Sequence, residues 1–211
     1  MPETIVVVGC GGYGREIYGV VAAVNAAEGS PWKVAGFLDD APTGDNLRCL
    51  DRLGVPCLGP SALLAGLDAH YVIGIGDPQV RARVAGQLEP YGRPAARLVH
   101  PAATVGVANE LADGVVLCAG ARVTTNVTLG RHTHLNLNAT VGHDAILEEY
   151  VQVNPLAAIS GSCRIGRAAL IGTNASVLQG RSVGDRARVG ANACVVRDVE
   201  SGRTVKGVPA A

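Results

Sequence analysis

Residues 133–153 read THLNLNATVGHDAILEEYVQV, and an aliphatic residue stands at every sixth position of the stretch: Leu135, Val141, Leu147 and Val153. The phase runs on without a slip in both directions, back through Leu129, Val123, Leu117, Leu111 and Val105 to Val99, and forward through Ile159, Ile165, Ile171, Val177, Val183 and Val189 to Val195. Seventeen in-phase positions make residues 99–195 an internal repeat. Two residues before the aliphatic the side chain is mostly small or β-branched, as at Ala121, Val127, Thr133, Ala139, Ala145, Val151, Ala157 and Cys163. Because a strand alternates its faces, both columns point into one interior. Three residues after the aliphatic come Gly114, Gly120, Asn126, His132, Asn138, Asp144, Asn174, Gly180, Asn192 and Asp198, residue types that tolerate left-handed backbone angles. Each hexad therefore reads as one short strand and one corner.

Three hexads per turn close a triangular parallel β-helix in which residues one turn apart stack at the strand spacing of ~4.8 Å. Five to six coils are predicted. The pattern resembles the left-handed β-helix of hexapeptide-repeat acyltransferases. The left hand is what that resemblance implies, since periodicity does not fix it.

Ahead of the repeat, strand and helix alternate. A predicted strand Thr4 to Val8 runs into Gly9-Cys10-Gly11-Gly12-Tyr13-Gly14 and a helix to about Ala27, followed by a strand Trp32 to Leu38. A short segment near Val55 to Leu58 precedes Ser61, which can cap a helix; then come a strand His70 to Ile75 and Asp77-Pro78, a good N-cap and first-turn pair for a helix to about Glu89. This is a small parallel α/β unit. Gly9, Gly11 and Gly14 match GxGxxG between strand and helix, and Asp39-Asp40 end the second strand, where an acid can bind a ribose hydroxyl. The glycine pattern alone is also satisfied by a tight turn with no ligand. A dinucleotide spans two βαβαβ halves and about 95 residues hold only one, so a uridine nucleotide or nucleotide sugar is expected rather than NAD.

The chain has 211 residues, zero formal net charge and 48% hydrophobic content. It carries no basic footprint for nucleic acid or an anionic membrane. One Trp, five Tyr and one Phe suit a coil interior too narrow for rings. Six cysteines show no metal-binding spacing and read as reduced packing thiols. No charged leader, long apolar run or cleavage site is visible, so a cytoplasmic enzyme is expected.

As a whole the sequence resembles the hexapeptide-repeat sugar acyltransferases related to sialic acid O-acetyltransferase and UDP-4-amino-sugar N-acetyltransferases. The residues that carry this are Val7-Val8-Gly9, Gly11-Gly12-Tyr13-Gly14-Arg15-Glu16, Phe37-Leu38-Asp39-Asp40, Gly76-Asp77, Asn138 through Val141-Gly142-His143-Asp144, and Gly207-Val208-Pro209-Ala210. The resemblance implies a Rossmann-like nucleotide-sugar-binding domain over residues 1–98 and a left-handed β-helix over 99–211 that binds acetyl-CoA and carries catalysis. By the same resemblance the nucleotide sugar contacts Gly11, Gly12, Tyr13, Asp39, Asp40 and Gly59, acetyl-CoA contacts Gly161, Thr173, Ala191 and Lys206, His143 is the catalytic base, and Asp144 raises its strength. It further implies a homotrimer with acetyl-CoA bound between subunits. Gln152 and Tyr13 depart from the family, many of whose members have histidine at both places.

The hexad phase bears on the base independently. His143 lies two residues after Val141 in an outward column near a corner, and Gly161, one turn on, is expected to leave an open slot above the imidazole for a thioester. The competing reading of His143 is a solvated surface histidine, and that of Asp144 a turn residue. His132 belongs to the corner column and reads as a turn residue; His134 faces outward mid-strand, as at a subunit interface; His70 and His100 have no evident partners. No histidine spacing sets a three-ligand zinc geometry, so no metal is expected. The expected activity is acetyl-CoA-dependent N-acetylation of a nucleotide-linked 4-amino sugar. O-acetylation of a sialic-acid-like sugar and a non-catalytic nucleotide-sugar-binding role are the alternatives.

Overall fold

In a computed structural model, which describes residues 2–211, strands β1 (Glu3–Val8), β2 (Trp32–Leu38), β3 (Cys57–Gly59) and β4 (His70–Ile73) form one parallel sheet in the order β3-β2-β1-β4. The central strand β1 is buried on both faces from Ile5 to Val8, as a parallel strand between helices must be. Helix α1 (Gly12–Glu28) crosses from β1 to β2, α2 (Gly44–Leu53) from β2 to β3, and α3 (Pro78–Leu88) follows β4.

Helix α2 was not predicted: Leu47, Leu50 and Leu53 do recur at helical spacing, but the stripe is short and only Leu50 of it is buried. Its end signals are nonetheless in the sequence: Thr43 Oγ1 accepts from the Asn46 N–H at 3.2 Å, Asp45 lies in the first turn, Arg52 in the last, and Gly54 closes the helix at φ 67°. Ser61 does not cap an α-helix. It opens a 3-10 turn, Ser61–Gly66, with Pro60 at the cap position, and its N–H donates to Asp40 Oδ1 at 2.7 Å. Asp77 caps α3 as expected, Oδ1 accepting from the N–H groups of Gln79 and Val80 at 2.9 and 3.1 Å.

From Leu98 onward the chain winds as a left-handed parallel β-helix with three faces. The first face is the seven-stranded sheet from Leu98–Val99 to Thr204–Val205, the second the six-stranded sheet from Thr104–Val105 to Cys194–Val195, and the third the five-stranded sheet from Glu110–Leu111 to Ser182–Val183. All seventeen aliphatics of the hexad series stand second in a two-residue strand, and stacked strands pair one turn apart, as in His134↔Gln152 and Leu135↔Val153. The aliphatic column and the small column before it fill the interior, with Leu117, Leu135, Val141, Leu147 and Val153 at zero exposure.

The corners hold left-handed backbone, at φ 53° to 63° in the eleven non-glycine cases from Asn126 to Asn192. Tyr150, Leu156 and Ala168 are among them. Their side chains do not favour that conformation, so the stacking of neighbouring coils imposes it. Asp198 is not a corner residue: the phase breaks after Val195, the next coil is two residues shorter (Arg188 pairs with Thr204), and Asp198 Oδ1 accepts from the Ser182 N–H at 2.9 Å.

The α/β unit lies on the first face. Leu98, Val116 and Cys118 pack with Ile17, Val20 and Val21 of α1, while Tyr150 and Ala168 pack with Tyr71, Ala85 and Leu88. Among the described residues no helix is long and apolar enough to cross a membrane.

Candidate active site

At the carboxyl end of the four-stranded sheet lies a cavity of about 480 Å³ lined by Gly11, Gly12, Tyr13, Asp39 and Asp40 together with Asn46, Ser61, Gly76 and Arg83. This is where ligands bind in open α/β sheets. The glycines divide by task. A Cβ at Gly14 would strike the carbonyl of Gly9, so Gly14 lets α1 close onto the loop; a Cβ at Gly11 would meet nothing within 4 Å, so Gly11 keeps the cavity wall open. Asp39 clamps the same loop, Oδ2 accepting from the Cys10 N–H at 2.8 Å and Oδ1 from the Ala41 N–H at 2.9 Å. Burial pushes its carboxyl up, but those two N–H donors outweigh burial and hold it below the usual range. Asp40 commits only Oδ1, to Ser61, which leaves Oδ2 for a ligand. Gly59 does not line the cavity; its carbonyl accepts from the Asp39 N–H at 2.8 Å.

Beneath that cavity the two halves of the chain are joined through buried polar groups. Arg81 has no exposed surface and no carboxylate on its guanidinium; it donates instead to the carbonyls of Ile75, His132, Tyr150 and Val151 and to Gln152 Oε1 at 2.6 to 3.1 Å. Burial lowers its pKa to about 10. His134 is not at a subunit surface: it is wholly buried under α1, its Nδ1 3.2 Å from the Tyr13 hydroxyl. A first-face residue points outward from the coil, as the phase predicted, but the α/β unit covers it. His132 does stand at a corner, φ 54°, yet it is buried as well, stacked on Tyr150 at 5.6 Å with both ring nitrogens unpartnered. Burial first, then Arg131 and Arg81, lowers its pKa to about 4. His70 has partners after all, Glu3 at 2.9 Å and the Trp32 ring at 5.2 Å. His100 Nδ1 accepts from the Ala102 N–H.

His143 and Asp144 occupy the corner between the second and third faces, after strand Thr140–Val141 and before Ile146–Leu147. The left-handed backbone of Asp144, φ 60°, turns its carboxylate back on its neighbour, so that His143 Nδ1 lies 2.6 Å from Asp144 Oδ2. Asp144 Oδ1 also accepts from Asn126 Nδ2, one coil away, at 2.7 Å. Asn126 and then His143 hold the Asp144 carboxyl below the usual range, so it is an anion facing the ring. With Nδ1 donating to that anion, Nε2 is the free acceptor. Nε2 does not look onto an open slot above Gly161. The imidazole itself fills the space, Nε2 lying 2.5 Å from where a Cβ of residue 161 would be. Among the described residues the Gly161 N–H has no hydrogen-bond acceptor.

The remaining acetyl-CoA candidates lie on another corner. Thr173 and Ala191 are exposed and stacked one coil apart between the first and second faces, and Lys206 is exposed just past Thr204–Val205 of the first face. The same corner bears Asn136 and Asn154, which border a second cavity of about 370 Å³ between α1 and the first face. Among the described residues no cluster of three or more His, Cys, Asp or Glu is placed to hold a metal ion.

Residues 4–88 match the family model for the PglD N-terminal domain. The chain is 28% identical over 173 residues to GDP-perosamine N-acetyltransferase of Escherichia coli O157:H7, covering 82% of this chain and 76% of that one. The acetyltransferase domain of PglB from Neisseria gonorrhoeae FA1090 superposes with a TM-score of 0.86 at 32% identity over 99% of this chain and 98% of that one. PerB from Caulobacter crescentus, solved with CoA and GDP-perosamine, gives 0.87 at 28% identity over 99% and 96%. Similar along its whole length, the chain belongs to the hexapeptide-repeat sugar N-acyltransferase family.

Proposed function

We propose that this protein transfers the acetyl group of acetyl-CoA to the amine of a nucleotide-linked amino sugar, residues 1–98 holding the nucleotide and residues 99–211 the acetyl-CoA, with His143 as general base. The observation that carries the reading is the 2.6 Å contact of His143 Nδ1 with Asp144 on an exposed corner, which leaves Nε2 as the only basic nitrogen there. The amine attacks the thioester carbonyl while Nε2 takes its proton. The Gly161 N–H stabilises the oxyanion. Collapse breaks the C–S bond, and the imidazolium returns the proton to the departing thiolate.

A homotrimer completes the site. The nucleotide cavity and its neighbour lie over the first face, whereas His143 is on the one corner that does not border that face. Each side of the triangle is up to about 20 Å long, six residues at roughly 3.3 Å each, so one chain does not bring the two together. Under a threefold axis parallel to the coil, equal coils stay at equal height. The 142–145 corner of one subunit then meets the 136–139 corner of the next at the level of Asn136, and Thr173, Ala191 and Lys206 continue down the same groove. That arrangement supports an acetyl-CoA site formed by two chains, with the relatives' CoA complexes as its precedent.

The test is acetyl transfer from acetyl-CoA to GDP-perosamine, the sugar nucleotide of the relatives, and to a UDP-4-amino sugar, the nucleotide expected from sequence, with product mass as the readout. His143→Ala should lower kcat by about 10² to 10⁴ while sparing acetyl-CoA affinity. Wild-type turnover in that variant would remove His143 from the mechanism, and binding without transfer to any sugar nucleotide would replace the enzyme by a binding protein.

A further inference from the structure

The second cavity, about 370 Å³, shares Tyr13 and Gly76 with the nucleotide cavity and continues it onto the β-helix, where Asn136, Gln152 and Asn154 form its floor. Two carboxylates border it. Asp77 is fully committed, Oδ1 to the N–H groups of Gln79 and Val80 and Oδ2 to Arg188 at 2.6 Å. Glu16 is not: it is exposed on α1, and among the described residues its carboxylate has neither a hydrogen bond nor an ion pair. Its neighbour Arg15 turns away, donating to the Cys10 carbonyl and to Asn46 Oδ1 at 2.8 and 2.7 Å. Glu16 also borders a recess with Ala119 and Leu137, so it stands on the side of the cavity nearest the corner between the first and second faces.

The floor offers the complementary groups. Asn136 Oδ1 accepts from the Leu137 N–H, and Asn154 Oδ1 accepts from Gln152 Nε2, which frees both asparagine amino groups to donate to sugar hydroxyls. A sugar amine is an ammonium near neutral pH and carries only donors. The cavity thus has donors beneath and one uncompensated anion at its rim.

Building on the acetylation of a nucleotide-linked amino sugar, we propose that this cavity is the sugar subsite and that Glu16 is the residue that selects an ammonium over a hydroxyl on the bound sugar. Glu16 holds the ammonium by a charge-assisted hydrogen bond at the rim where the adjacent copy's corner arrives; one ammonium proton passes to solvent to free the lone pair, and His143 takes the second as the C–N bond forms. Base catalysis remains with His143.

The experiment compares wild type, Glu16→Gln and Glu16→Ala by calorimetry with GDP-perosamine, with the same nucleotide sugar bearing a hydroxyl in place of the amine, and with GDP alone; the UDP series replaces these where it binds more tightly. Wild type should prefer the amine by about tenfold, the scale of a hydrogen bond to a charged group. Both variants should lose that preference while keeping nucleotide affinity and melting temperature, because Glu16 is exposed and packs no core. The wild-type preference should also fade as pH rises through the amine's own pKa, and Glu16→Gln should show no such trend. An undiminished preference in Glu16→Gln, or none in wild type, overturns the assignment. If the parent reading fails instead, wild type gives no acetylated product with any amino sugar nucleotide, whereas failure of the Glu16 assignment leaves that product in place.

Discussion

The imidazole of His143 occupies the volume that a side chain on Gly161 would need: Nε2 lies 2.5 Å and Cε1 2.6 Å from the Cβ position of residue 161, one coil below. Gly161 is not strained, since it is not among the positive-φ residues, so alanine fits its backbone and its nearest conflicts are with the ring. Gly161→Ala should therefore keep the fold and acetyl-CoA binding but push the imidazole aside, lowering kcat by about a hundredfold. Steady-state kinetics beside a thermal melt checks this. Wild-type kcat would mean that the ring acts from another rotamer.

The strands of the repeat were legible to the residue from Val99 to Val195, because the aliphatic column keeps its phase; the hand came from the family resemblance, and the corner expected at Asp198 fell where the phase had broken. The corner positions of His143 and Asp144 were legible for the same reason, since both follow from Val141. What sequence reasoning missed depended on contacts between distant segments. His134 was placed outward correctly, but nothing in its own column says that Tyr13, 121 residues earlier, covers it. Arg81 has no motif at all; only its burial against His132, Tyr150, Val151 and Gln152 identifies it. The imidazole over Gly161 was half seen: the glycine was recognised as space, and the ring that fills it was not.

Arg81 offers a stability test of the junction. Its guanidinium satisfies five acceptors from both halves of the chain, four of them main-chain carbonyls, without a counter-charge. Removing it in Arg81→Met takes the donor from Gln152 Oε1 and from the carbonyls of Ile75, His132 and Tyr150, while Val151 keeps the His134 N–H; lysine has too few donors to replace it. Urea unfolding should show a loss of about 3 to 5 kcal/mol for Met, with Lys in between. A loss below about 1 kcal/mol would show that the apolar contacts of α1 hold the junction by themselves.

Acid should loosen the same junction. His132 has its pKa lowered to about 4 by burial, then by Arg131 and Arg81, and it faces Tyr71 and Tyr150, which offer no anion. In the unfolded chain an ordinary histidine titrates near 6.5, so the unfolded state takes up the proton first. The neutral buried ring therefore contributes fully above about pH 6.5, and its contribution falls as pH drops toward 4, by on the order of 3 kcal/mol in all. His132→Asn, which keeps a residue tolerant of the left-handed corner, should remove that part of the pH slope in unfolding measured between pH 7 and pH 4. An unchanged slope would assign the acid sensitivity to other groups, the buried His134 first.

Whether pocket and base come from different chains is decided by mixing two dead proteins. His143→Ala retains a good nucleotide cavity, and Asp40→Ala, which loses the one cavity carboxylate oxygen not used by the protein backbone, retains a good histidine corner. Neither has a working site alone. In a closed ring of three, each site takes its cavity from one subunit and its corner from the next. Random reassembly of equal amounts then gives about one site in four with both good halves. Mixed by denaturation and refolding, the two variants should recover about a quarter of wild-type activity, and the gain should vanish when each is refolded separately. Were the site built within one chain, no mixture could unite a good cavity with a good histidine, and the mixed sample would stay as inactive as its parents.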